Sequence, residues 1–107
     1  MKVSIVRRGG FAGLVTTTTV DSAALPAEQD AELRARVSRS GLLDLPARAG
    51  GPGPGADLYD YEVRVEDRGG ARTVRIGERE LTGPLRDLVG YVASLPGATK
   101  RTGPPGQ

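Results

Sequence analysis

The residues best suited to act on another molecule stand in one run, Arg7-Arg8-Gly9-Gly10-Phe11-Ala12-Gly13. It joins two guanidinium groups to three glycines and to the single Phe of the 107-residue chain. Glycine reaches backbone angles closed to other residues, so this run can turn tightly and let another backbone come close. Phe buries more apolar area than almost any other side chain, and a small domain normally commits it to the core. Two readings follow. The run is a presented binding loop with Phe11 as its anchor, or a hairpin turn whose Phe11 folds back onto the sheet. A phosphate cradle does not fit, because such a glycine loop opens a helix and this one leads into a Thr-rich strand.

Catalysis has little to stand on. The sequence has no His and no Cys, which removes the commonest general base, the commonest zinc ligand and any thiolate nucleophile. Asp57 and Asp60 could ligate a cation, but beside a Gly/Pro loop they read more simply as turn and edge residues. No arrangement of carboxylates, Lys, Ser or Tyr suggests a reaction. Neither an enzyme nor a cofactor nor a metal site is therefore expected.

Charge points away from nucleic acid. The 15 basic residues are interspersed with 13 acidic ones for a net charge of +2, as in Glu62, Arg64 and Glu66, where a nucleic-acid surface needs clustered cations. No run approaches membrane-spanning length, and the N-terminal residues lack the apolar stretch of a signal peptide. The expected setting is cytoplasmic, with no membrane contact.

The elements that must hold the glycine run are legible on either side of it. Lys2 to Arg8 alternates with Val3 and Ile5 on one face, and Leu14 to Asp21 carries four consecutive Thr, so the two predict a β-hairpin. Leu25-Pro26-Ala27-Glu28 predicts a helix start, with Leu33 and Val37 one turn apart and Gly41 as its stop. Ala49 to Ala56, wholly Gly and Pro between its two Ala, cannot hold regular structure.

Leu58 to Glu66 is the clearest strand, since Tyr59, Tyr61, Val63 and Val65 alternate strictly with charged residues. Asp67 to Gly70 turns the chain, and Arg72 to Ile76 returns with Val74 and Ile76 inward. Thr82 and Pro84 open a second helix on which Leu85, Leu88, Val89, Val92 and Leu95 keep helical spacing. Those residues, with the two Tyr, are the expected core. The fold class implied is α+β: a four-stranded antiparallel sheet in the order ββαββα, both helices packed on one face. One domain over residues 1–96 precedes a disordered Gly/Pro-rich tail over 97–107.

Several of these segments together resemble one known family. Arg7-Arg8-Gly9-Gly10-Phe11-Ala12-Gly13-Leu14, then Val20-Asp21-Ser22 and Leu25-Pro26, are similar to the corresponding stretches of the emfourins. Leu43-Asp44-Leu45-Pro46, Asp57-Leu58-Tyr59-Asp60-Tyr61 and Leu85-Arg86-Asp87-Leu88 continue the resemblance, which spans about residues 2–95. Emfourins are small bacterial proteins that inhibit protealysin and related thermolysin-like zinc metalloproteases. The resemblance implies an inhibitor without chemistry of its own, a monomer when free, whose partner is such a protease. Those enzymes prefer a large apolar side chain just after the scissile bond, which suits Phe11. The loop offers no His, Cys or carboxylate to take the catalytic zinc, so occlusion of the cleft is the simpler mechanism. Composition alone fits equally a regulatory or adaptor domain that binds another protein through the same loop or a sheet edge; the 47–56 loop is either a connector or a second contact surface.

Overall fold

The computed structural model describes residues 1–9, 13–45, 48–49, 59–81 and 83–103. Its elements in chain order are strand β1 (Lys2–Gly9), strand β2 (Val15–Asp21) and helix α1 (Ala27–Ser40). A two-residue strand β3 (Arg48–Ala49) precedes β4 (Tyr59–Asp67) and β5 (Gly70–Gly77), and helix α2 (Gly83–Ser94) precedes β6 (Thr99–Gly103). They form one sheet in the order β3-β5-β4-β1-β2-β6. All neighbours are antiparallel except β3, which runs parallel to β5.

The class is α+β with two helices, but the sheet is wider than the four strands expected. Two additions account for the difference. β3 adds a short stub at one edge, with Ala49, read as the start of a segment without regular structure, paired to Ile76; β6 adds a full strand at the other, within the segment read as a disordered tail. Thr99–Gly103 pairs residue by residue with Val15–Thr19, and residues 104–107 lie outside the described residues. β6 has no apolar side chain for a hydrophobic pattern to show. It is held by its backbone ladder and by a hydroxyl contact between Thr16 and Thr102 at 3.2 Å.

Register decides which face is buried. Val63 stands opposite both Ile5 and Val74, and Val65 opposite Val3, so the apolar members of three strands share one face. Val3, Ile5, Val20, Val63, Val65, Val74 and Ile76 are buried there. Leu33 and Val37 of α1 and Leu85, Leu88 and Val92 of α2 close the same cluster. Tyr61 and Val89, both expected in the core, are partly buried and pack against its rim.

Gly41 ends α1 in the left-handed conformation, φ +70°, as its glycine predicted. Nothing lies within 4 Å of where a Cβ would sit, so a side chain there meets only backbone cost. Gly41→Ala should lower stability by about 1 kcal/mol. Urea denaturation should show the midpoint falling with an unchanged slope; an unaltered midpoint would contradict the cap. At the other end of α1 the cap residue is Pro26, whose side chain donates and accepts nothing. Asp21 instead caps the preceding 3-10 turn by accepting from the Ala23 N–H at 3.0 Å. Thr82, the expected cap of α2, lies outside the described residues.

Candidate functional site

The glycine run sits where β1 turns into β2. Arg7, Arg8 and Gly9 are the last three residues of β1, and Gly13 leads back towards β2. Gly9 and Gly13 both take positive φ, 97° and 66°, a conformation that side chains resist. Gly10, Phe11 and Ala12 lie outside the described residues. The two framing glycines thus do what their residue type allows, and the strand ends fix where the run begins and returns.

Pleating sends Arg7 and Arg8 to opposite faces of the sheet. On the open face, Arg8 approaches the Glu62 carboxylate at 3.9 Å. Beside it Arg75 meets Asp60 at 2.8 Å and Arg64 meets Glu66 at 2.9 Å. Asp60 is thus the ion-pair partner of Arg75, while Asp57, the other carboxylate weighed as a cation ligand, lies outside the described residues. The same pairing with Arg64 holds the exposed Glu66 carboxyl below its ordinary range.

At the far end of β4, the Asp67 carboxyl is also depressed, first by the Arg68 backbone N–H and then by the chain amino group and Arg34. Depressed carboxylates stabilise the fold at neutral pH, and that contribution is lost as pH falls through the lowered value. Both groups are exposed, so screening keeps it small.

On the helix-side face, Arg7 lies over the Tyr59 ring, its guanidinium carbon 4.6 Å from the ring centre. Tyr59 and Tyr61 form a tilted aromatic pair with centroids 6.4 Å apart. The Tyr59 N–H donates to Glu78 Oε1 at 3.3 Å, tying the start of β4 to the turn after β5. Cation–π stacking restrains a long, rotamer-rich side chain and leaves its charge in place. The arrangement is a cationic platform, Arg7 stacked on the tyrosine pair, at the end of β1 where the glycine run begins.

Three of these features escape a reading of the sequence. Tyr59 and Tyr61 were expected as core, yet both are half-buried and carry the platform. The stacking of Arg7 depends on β1 lying beside β4, which no local pattern announces. Leu14 was read as the first residue of a strand but precedes β2 and is 45% exposed, a second large apolar side chain beside the glycine run. Its signal was available: it follows Gly13 directly and adjoins a second apolar residue, Val15, without alternation. The 47–56 loop, weighed as a second contact surface, lies outside the described residues except for the backbone of Arg48 and Ala49.

Among the described residues no three acidic side chains converge as a metal site would require, and no helix is long and apolar enough to cross a membrane. Compared with known proteins, the chain matches a family model described as Emfourin over residues 5–93. No curated protein and no solved structure gives a significant match. The matched stretch runs from β1 into the last turns of α2 and includes the whole glycine run with its Tyr platform. On that match, the chain belongs to the emfourin family.

Proposed function

We propose that this protein is a proteinaceous inhibitor of thermolysin-like, protealysin-type zinc metalloproteases, which it blocks by occluding the substrate cleft without chemistry of its own. Family membership over residues 5–93 carries the reading. The geometry supports a contact at the β1–β2 end: two glycines with positive φ frame a short run, Leu14 is exposed after it, and Arg7 is stacked on Tyr59 just before it. A loop held in its bound shape before contact loses less entropy on binding, the usual route to tight inhibition by a small scaffold. Arg7, Arg8, Gly9, Gly10, Phe11, Ala12 and Gly13 form the proposed contact.

The decisive experiment titrates the purified protein against several thermolysin-like proteases while following peptide hydrolysis. Activity should fall with a near-stoichiometric endpoint for at least one enzyme. Full activity in every case would reject the inhibitor reading in favour of an adaptor that binds another partner.

A further inference from the structure

The charges of this sheet are distributed unevenly. On the open face the carboxylates Asp60, Glu62 and Glu66 each meet an Arg. On the helix-side face at the loop end, two cations stand without any carboxylate in ion-pair range among the described residues: Arg7 on β1 and Lys100 on β6. Arg7 pairs with Thr16 and Lys100 with Thr18. They therefore start two strands, about 10 Å, apart across the sheet and about 7 Å apart along it. Both side chains line one crevice of about 100 Å³ between the sheet and α2.

The crevice has the chemistry to receive a charged tip on an apolar stem. Ile5, Val89 and Ala93 supply its apolar surface, while Thr16, Thr18 and Tyr61 add hydroxyls. It is far smaller than the several hundred Å³ of a cofactor or drug-sized pocket, so it suits a single side chain. Arg7 is already restrained by the Tyr59 ring. Two like charges facing one small space raise the local potential, which an anion relieves.

We propose that this crevice takes the carboxylate of an aspartate or glutamate side chain of the target protease, held between Arg7 and Lys100. The proposal rests on the inhibitor reading above. It extends the contact from the loop across β2 to the edge strand β6, which lies outside the matched family segment 5–93. Lys100 thus becomes a contact residue that neither the loop nor the family match indicates.

The test compares the parent chain with Lys100→Glu, Lys100→Arg and Arg7→Gln as inhibitors of a protease that the parent blocks. Ki and association rate are measured at low and at roughly 0.5 M salt, with thermal unfolding in parallel. Lys100→Glu should slow association and raise Ki by about tenfold at low salt, as reversal of a steering charge does. The difference should shrink to within about threefold at high salt, where the Debye length is only a few ångströms. Arg7→Gln should weaken inhibition with a salt dependence of the same sign, and Lys100→Arg, which keeps the steering charge, should stay within about twofold of the parent.

Unchanged inhibition by Lys100→Glu overturns the proposal while leaving the inhibitor reading intact. So does a loss equal in Lys100→Glu and Lys100→Arg, which would mean that position 100 matters only to the strand. A parent chain that inhibits none of the enzymes overturns both readings together.

Discussion

Leu88→Ala should lower the unfolding free energy by about 2–5 kcal/mol, the cost of emptying a fully buried Leu site. Leu88 is 0% exposed on α2 and belongs to the cluster shared by both helices and the sheet. Two terms make up the loss: the transfer free energy of the missing methyls and the cavity left where surrounding side chains cannot close in. The neighbouring elements are a pleated sheet and a second helix, so collapse of the site is limited. Leu43→Ala is the matched control, because Leu43 is 53% exposed and a surface change of this kind stays within about 0.5 kcal/mol. Equilibrium denaturation of both variants decides the matter. A Leu88→Ala loss as small as the control's would mean that α2 presents a different face to the sheet.

The second large effect concerns binding. Phe11→Ala should leave the unfolding midpoint nearly unchanged and weaken protease inhibition by about 2 kcal/mol or more, the scale of an aromatic hot spot. Phe11 lies outside the described residues, so the expectation rests on its sequence neighbours and on the frame around it. Glycines on both sides add little packing surface, and the buried cluster among the described residues is aliphatic throughout. Measuring stability and Ki on the same variant separates the two readings of this residue. A large stability loss with inhibition intact, once corrected for unfolded protein, would return Phe11 to the core and remove the loop's claim to the cleft.

What the sequence revealed was whatever is written in local periodicity. The strict alternation from Tyr59 to Glu66 announced a strand with one solvated face, and the spacing from Leu85 to Val92 announced a helix with one buried face. Gly41 announced a left-handed cap. β6 was invisible because Thr99, Lys100, Arg101 and Thr102 carry no apolar signal; its place is set by backbone pairing with β2, 80 or more residues away in sequence. The platform was illegible for a related reason. Arg7 meets Tyr59 only because β1 lies between β4 and β2, and strand order is a tertiary outcome that turn residues and alternation do not encode.

The central position of β1 has a consequence for how the molecule comes into being. Its pairing with β2 needs only a short loop, so the first hairpin can close as soon as some twenty residues are free. Its other edge is completed by β4, where Val3 meets Val65, and must wait until more than half of the chain is available. Closing such distant pairs costs loop entropy before any contact returns it, which places a sheet of this kind among the slower folders of its size, on the order of milliseconds to seconds. During synthesis the early hairpin stands with one long edge unpaired, the condition under which strands find the wrong partner. β1 carries Lys2, Arg7 and Arg8 along its length, charges of the kind that discourage edge-to-edge pairing while an edge is open.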